Sequence, residues 1–578
     1  MKYFILFSLI ILIILLIKTK IKPSIIFFSF LSFYYVLDLI ETEDLLINFV
    51  NTSIMTLVVL LLVAGVLEKT VIIDYISKLF FNKKSFKKTV FKMSFLSAIL
   101  SGFLNNTAIV ASFISPIKNN KIYSPSKLLI PLSFAAILGG SMTLIGTATN
   151  LIINGFVIDM GLSSIGLFDF AYVGIPLVLV GVLYLTIFSD KLLPDNKISN
   201  FNTPSNYFIE TKVMPNSSLI GKTVLDNKLR QLNNIFLAEI IRDNHLLSPV
   251  SPHEVIEKND KLVFTGDIQN IQDLKLCDNL KIFGQTTDIL KDNLVEVVVS
   301  HKSWLVGKKI QKVNFRSRFN AAVVAVRRGN IKLSGKIGLI VLKPGDDLIL
   351  AVGKDYAQRD NIKSNFYSIN KLQILPKFTT QQSFFIILVF LLGIIIASTG
   401  IVSLFKTMLI ALFIFLITKI VSLKELKDNL NIDIVLLIGS AIGISKVLLS
   451  SGTSNMIADF IVKISSGYGI YGSFIGIFIL TRILSEFITN SAAAAIVFPF
   501  AYSISISLAV SPIPFIMAVA YGSSGSFLTP YGYQTNIIVY SAGGYKFTDY
   551  FKLGFPLLIL YSFVSITLIP IFFKFYPN

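Results

Sequence analysis

The sequence predicts a polytopic α-helical membrane protein made of inverted repeats with re-entrant hairpins, interrupted by two soluble α/β domains in tandem. Three observations predict it: the apolar composition, a polar segment dividing the chain, and two independent sets of internal matches. The 578 residues are 53% hydrophobic and 15% charged, with mean hydropathy +0.73. A soluble chain carries about 25% charged residues.

The opening run "YFILFSLIILIILLI" lacks a small-residue cleavage site and continues into "KTKIKPSIIFFSFLSFYYVL". It is therefore expected to remain as a helix rather than act as a signal peptide. "IMTLVVLLLVAGVL" and "FFIILVFLLGIIIAS" also approach the roughly 20 residues a spanning helix needs. The net charge is +19, and lysines of the apolar parts cluster in short loops such as "KTKIK", "NKKSFKK" and "KNNKIYSPSK". That is the cytoplasmic bias of membrane proteins and argues against a nucleic-acid partner. Cys277 is the sole cysteine, so neither an intrachain disulfide nor a thiolate metal cluster can form. His245, His253 and His301 all fall in the polar segment, as expected of surface residues, which leaves the apolar parts without a histidine ligand.

Residues 1–190 and 376–578 are expected to be the membrane halves, with hairpins near 92–117 and 469–500. The middle divides into domains at 205–290 and 291–375. Its apolar residues come in short β-like runs, "KLVFTG", "LVEVVV", "AAVVAV" and "DDLILAVG". "SSLIGKTV" from Ser217 matches "SWLVGKKI" from Ser303, with Gly221 and Gly307 in register about 86 residues apart. Those two glycines are expected at a β-hairpin or bulge. The middle holds no G-x-G-x-x-G and no phosphate-loop motif, so a nucleotide-binding half is not expected.

The apolar halves repeat each other as well. "GGSMTLIGTATN" (Gly139 to Asn150) aligns with "GSFLTPYGYQTN" (Gly525 to Asn536), matching Gly146, Thr149 and Asn150 to Gly532, Thr535 and Asn536. "DFAYVGIP" then matches "DYFKLGFP", setting Gly174 against Gly554. Lys83, Lys84, Lys87, Lys88 and Lys92 place the start of the first hairpin in the cytoplasm, while the equivalent approach in the second half has few basic residues. Opposite insertion of related halves is the plan of secondary transporters, whose sites lie near the bilayer midplane. The same tally puts the soluble domains inside the cell.

Each hairpin carries neutral polar residues at its centre, "SGFLNNTAIVASFISP" and "EFITNSAAAAIVFP". An unsatisfied polar group in hydrocarbon costs several kcal/mol, so these side chains need partners. One source is interhelical bonding, worth roughly 0.6–2 kcal/mol per contact. The other is a ligand, and repetition at symmetric positions favours it. Broken helices expose backbone amides at their tips, and Asn, Thr and Ser both donate and accept. In "GTATN" and "GYQTN" a glycine allows the chain to unwind before Thr-Asn recaps a helix, leaving carbonyl oxygens suited to a hard cation. Arg482 and Glu486 lie four apart on one arm and can pair with each other or serve in proton coupling.

These segments, "LNNTAIV", "LLIPLSFAAILGGSMTLIGTATNLI", "LSEFITNSAAAAIVFPF" and "SFLTPYGYQTNIIVY", resemble the divalent anion/sodium symporter family, specifically members with two inserted TrkA-C domains. The family's Ser-Asn-Thr tip reads Asn105-Asn106-Thr107 and Thr489-Asn490-Ser491 here, keeping only the central asparagine in both. The resemblance implies a homodimer in the inner membrane, in contact with lipid, working as an elevator. It implies that Asn106, Thr107, Asn490 and Ser491 contact the anion. One Na⁺ would be held by Asn105, Asn106 and the turn with Gly146, Thr149 and Asn150. A second would be held by Thr489, Asn490 and the turn with Gly532, Thr535 and Asn536. Dicarboxylate-carrying relatives have prolines in these turns, and relatives associated with sulfate do not, so the resemblance points to sulfate, with Na⁺ as the coupling ion and no organic cofactor.

A symporter of a dicarboxylate or other organic anion, or a proton-coupled carrier or antiporter on the same scaffold, are the alternatives. A channel is disfavoured by the absence of a repeated carbonyl filter. A sensor would use the same site, and no constellation suits an enzyme.

Overall fold

In the computed structural model, residues 1–71, 85–196, 208–266, 280–283, 294–368 and 378–576 are described, apart from 20, 51, 119, 121, 230–234, 244, 248–249, 301–302, 330, 334–336, 353–355, 357–358, 360 and 431. Cys277, His301, Lys83 and Lys84 lie outside the described residues. His253 is exposed.

The first half contains α1 (Lys2–Lys18), α2 (Pro23–Val36), α3 (Thr52–Leu67), α4 (Phe86–Ser101), α5 (Asn106–Lys118), α6 (Pro125–Gly140), α7 (Ala148–Asp159) and α8 (Ala171–Leu192). The second contains α9 (Thr380–Ser398), α10 (Leu404–Ile417), α11 (Ile432–Ser450), α12 (Thr453–Ser465), α13 (Gly469–Phe487), α14 (Asn490–Ser507), α15 (Ile513–Ser524), α16 (Gln534–Ala542) and α17 (Phe547–Phe572). Among the described residues, six helices are long and apolar enough to cross a membrane: α8, α9, α11, α13, α14 and α17. With the shorter apolar helices between them, they make a polytopic membrane protein.

Packing partners exchange between the halves. Helix α2 packs on α11, and α3 packs on α10, with roles swapped. Helix α5 packs on α16, and α14 packs on α7. The long closing helices α8 and α17 lie against each other. The sequence matches thus correspond to equivalent places in the packing, and each broken helix meets the short helix of the opposite half.

The glycines matched between "DFAYVGIP" and "DYFKLGFP" permit close backbone approach. A Cβ on Gly174 would lie 2.6 Å from Met142 Cα and 2.7 Å from Ser141 O, and one on Gly554 would strike the Phe527 carbonyl. Both long helices therefore press directly on the turns that precede α7 and α16.

Between the halves stand two five-stranded antiparallel sheets, each with its own apolar core. The first is built from β1 (Phe208–Val213), β2 (Ile235–Arg242), β3 (His245–Leu247), β4 (Lys261–Gly266) and β5 (Leu280–Phe283), in the order β3-β2-β4-β1-β5. The second comprises β6 (Leu294–Val299), β7 (Ala321–Arg328), β8 (Ile331–Leu333), β9 (Asp347–Val352) and β10 (Phe366–Ser368), in the order β10-β6-β9-β7-β8. Read from the other edge, the second order is the same as the first. The register shift at Leu237/Glu239 recurs at Val323/Ala325. Arg242 grips Asp260 with Nε and Nη2, both at 2.9 Å, and Arg328 grips Asp346 at 2.7 and 2.8 Å.

Gly221 and Gly307 lie in turns rather than in a hairpin or bulge. Both have positive φ, 79° and 81°, and their amides donate to Ile256 O and Leu342 O. Only glycine enters that region without a Cβ penalty, which accounts for its recurrence in the two copies.

Candidate functional site

Both hairpins break where the polar residues lie. Residues 102–105 separate α4 from α5, and 488–489 separate α13 from α14. The arms of each hairpin contact each other. At the first tip Asn105 is exposed, and its Oδ1 accepts from Thr107 N at 2.9 Å. At the second, Thr489 is exposed and its Oγ1 accepts from Ala492 N at 3.3 Å. Both residues cap the helix that follows, satisfying one of the four amides a helix leaves open at its start. The remaining open amides and the positive dipole end favour an anion ahead of each tip.

Asn106 is 4% exposed and sits where the halves meet. Its Oδ1 accepts from Ser101 Oγ at 2.5 Å, and its Nδ2 donates to Tyr533 Oη at 3.0 Å. A Cβ on Gly140 would lie 2.7 Å from Asn106 Nδ2 and 2.9 Å from the Thr147 methyl, so Asn106 also presses on its own half's turn. Thr107 Oγ1 donates to Gln534 Oε1 at 3.3 Å. The first tip is thus bonded to "GYQTN" across 427 residues of chain. At the second tip Asn490 Oδ1 accepts from Ser526 Oγ at 3.2 Å, within its own half, and Ser491 is half-buried in the first turn of α14.

The two unwound turns are built alike. Gly146 N donates to Thr143 O at 3.3 Å, and Gly532 N donates to Thr529 Oγ1 at 2.9 Å. Thr149, Asn150, Thr535 and Asn536 are not the caps that "GTATN" and "GYQTN" led us to expect. Thr147 caps α7, its Oγ1 accepting from Asn150 N, and Tyr533 stands at the cap position of α16 without a side-chain capping bond. The Thr-Asn pairs lie two and three residues past the cap, inside the first turn, because the helices start earlier than the pairs suggested. From there the asparagines brace the turns. Asn150 Nδ2 donates to Thr143 O at 2.9 Å, and Asn536 Nδ2 to Ser526 O at 2.9 Å and Thr529 O at 3.3 Å. Ser133 on α6 donates towards Thr535 Oγ1 at 2.8 Å and Asn536 Oδ1 at 2.7 Å, tying the second turn to the first half.

Arg482 and Glu486 pair on α13, through Arg482 Nη2 and Glu486 Oε1. Glu486 Oε2 is buried without a hydrogen-bond partner. It lies 3.3 Å from where a Gly532 Cβ would project, as does Thr529 Oγ1. A carboxylate oxygen therefore faces the second turn. The matching position in the first half is Gly102, whose carbonyl accepts from Thr143 Oγ1.

Sequence reasoning missed Ser101, Ser133, Ser526, Tyr533 and Gln534. Tyr533 and Gln534 sit inside the quoted "GYQTN" and replace Thr147 and Ala148 of the first copy. That asymmetry between otherwise matching turns was the available signal. The serines carry none, being ordinary residues of apolar helices until their partners are known.

With this geometry in view, the comparison with known families is decisive. A family model described as "Citrate transporter" matches residues 8–405 and 391–577. The chain belongs to the citrate transporter family. It is similar to a putative sulfur deprivation response regulator of Chlamydomonas reinhardtii, 28% identical over 561 residues, 93% of this chain and 96% of that protein. An uncharacterized transporter of Synechocystis is 28% identical over 571 residues, 94% and 92% of the two chains. Sodium/sulfate cotransporter 1 of Chlamydomonas reinhardtii is 28% identical over 381 residues, 62% of this chain and 43% of that protein. The family membership and the membrane-capable helices make this transporter an integral membrane protein.

Proposed function

We propose that this transporter is a sodium-coupled symporter that imports a small divalent oxyanion, sulfate rather than a dicarboxylate. The observation that carries the reading is the bonding of the Asn106–Thr107 tip to Tyr533 and Gln534. It joins a broken helix of one half to the unwound turn of the other, at the kind of repeat junction where carriers bind their cargo. The tips present Asn, Thr and Ser with helix N-termini and no Lys or Arg. A dianion held by neutral donors gains most of its attraction from co-bound cations, which is the physical origin of coupling. Asn106, Thr107, Asn490 and Ser491 serve the anion. The turns of Gly146–Asn150 and Gly532–Asn536, with Asn105 and Asn106 at the first tip and Thr489 and Asn490 at the second, serve sodium. Relatives named sodium/sulfate cotransporters support both the ion and the anion.

Helices α4 to α8 and α13 to α17 move together as an elevator body against the remaining membrane helices, in a homodimer of the inner membrane. The cross-half bonds of Asn106, Thr107 and Ser133 support one body rather than two. The halves are inserted in opposite senses, supported by the exchange of packing partners. The paired sheets are TrkA-C-like domains facing the cytoplasm, supported by their common strand order.

The test is uptake of labelled sulfate by reconstituted protein, with and without sodium, and with succinate, thiosulfate and taurine as unlabelled competitors. Saturable uptake driven by sodium and blocked by thiosulfate is expected; uptake indifferent to sodium defeats the reading.

Proton coupling remains a second reading because Glu486 Oε2 is buried without a partner beside Gly532. On the sodium reading that oxygen assists the second cation. Glu486→Gln is then expected to raise the half-saturating sodium concentration by roughly tenfold, as loss of one charged ligand would. A variant whose sodium requirement is unchanged, but whose pH dependence is gone, favours protons instead.

A further inference from the structure

The second sheet module is docked on the membrane helices by a charged cluster of which its twin keeps only one member, Glu210 in the place of Glu296. Lys118, at the end of α5, meets Glu296 of β6 at 2.6 Å. Arg327 of β7 meets Asp347 of β9 at 2.5 Å and Glu296 at 3.7 Å, and its Nη2 donates to Ser541 O, near the end of α16, at 2.9 Å. Ser541 Oγ returns a bond to Gly345 O. Arg327, Asp347 and Glu296 are 5%, 2% and 7% exposed.

Comparison of the two modules shows that this face is specialised. The positions of Arg327 and Asp347 are occupied in the first module by Ile241 and Lys261. Gly329 and Gly345 both have positive φ, but the first module reaches the same backbone with Asp243 and Asn259. The conformation alone therefore does not demand glycine. Close approach does: a Cβ on Gly329 would lie 2.8 Å from Tyr545 O, and one on Gly345 would lie 3.2 Å from Ile537 Cγ2.

The helices gripped are those that carry the site. Helix α5 begins at Asn106 and ends at Lys118, and α16 begins at Gln534 and ends at Ala542. At 1.5 Å per residue they span about 20 and about 14 Å. Their near ends are joined by Asn106–Tyr533 and Thr107–Gln534, and their far ends by one side-chain cluster on the module.

We propose that Arg327, Glu296 and Asp347 are positioning residues, holding α5 and α16 in the relative placement the anion site requires and making that hold sensitive to pH. This rests on reading the Asn106 and Tyr533 region as the anion site. Burial, and then the neighbouring Glu296 carboxylate, push Asp347 up to about 7. Glu296, despite its burial, is drawn below the usual carboxylate range by Lys118, by its hydrogen bond with Asp347 and, to a smaller extent, by Arg327. The charged groups facing Asp347 are Glu296 from β6, Arg327 from β7 and Lys118 from α5; α16 contributes the neutral Ser541. Because the docked form raises this acid, docking binds a proton. It is strongest in acid and weakens as pH rises towards about 7.

The test uses full-length protein in proteoliposomes with the same pH on both faces. In the wild type, KM for sulfate is expected to rise roughly threefold or more from pH 5.5 to pH 8. Asp347→Asn, which fixes the uncharged form, should hold KM at its acid value throughout, and Arg327→Gln should raise KM at every pH. Hydrogen–deuterium exchange over residues 537–546, expressed as protection after division by the intrinsic rate at each pH, should lose protection across the same range in the wild type and keep it in Asp347→Asn. A wild-type KM flat with pH while exchange changes, or a pH dependence that survives Asp347→Asn, overturns the proposal. A wild type that carries no sulfate counts against the transport reading instead. Exchange that is also flat then overturns the docking itself.

Discussion

Asn106→Ala is expected to lower the proposed sodium-driven sulfate uptake roughly 100-fold. The substitution removes the acceptor of Ser101 and the donor to Tyr533, and with them a link between the first hairpin and the second turn. Each buried partner left unsatisfied costs about 1–3 kcal/mol. A loss of that size in binding or translocation lowers uptake by roughly 100-fold, since 1.4 kcal/mol is tenfold. Asn106 Oδ1 and Nδ2 both have partners, so an isosteric aspartate keeps only the acceptor and should not restore activity. Stability should fall by about 1–3 kcal/mol on the same grounds, visible as a lower melting midpoint in detergent. Uptake within about threefold of the wild type would show that the tip is interhelical glue and not a site.

Gly554→Ala is expected to produce a large structural effect. Its Cβ would collide with the carbonyl of Phe527, a backbone atom that cannot swing aside. Overpacking of this kind costs roughly 1–3 kcal/mol. The displaced segment leads directly into the turn with Thr529, Gly532 and Tyr533, so uptake should fall along with the melting midpoint. Gly174→Ala is the matching experiment, since its Cβ would meet Met142 Cα and Ser141 O at 2.6 and 2.7 Å. Equal losses in both variants are expected if the halves use the same contact. An unchanged melting midpoint in either would refute close approach as the reason for these glycines.

Much of the helical order was legible because hydropathy is local. The breaks near Asn106 and Asn490 follow from polar residues in apolar runs, and the β-like pattern of "LVEVVV" and "AAVVAV" leads to β6 and β7. Less legible was the start of α7 and α16. Glycine and Thr-Asn both suggested a cap, yet the cap lies earlier, at Thr147 and Tyr533. A cap is chosen by which backbone amides are free in the folded turn, not by residue type alone. Gly221 and Gly307 were placed in hairpins or bulges for a similar reason: glycine marks a permissive φ without saying which turn uses it.

The sequence by itself determined the class of protein, the duplication of its membrane halves and of its inserted modules, and the asparagines at the two broken helices. These follow from composition, period and self-match, which each residue carries with it. Only the tertiary structure decided that Asn106 finds Tyr533, that Ser133 holds Thr535 and Asn536, and that Arg327 reaches Ser541. Those partners are hundreds of residues apart along the chain, and a hydrogen bond depends on about 3 Å in space rather than on distance in sequence.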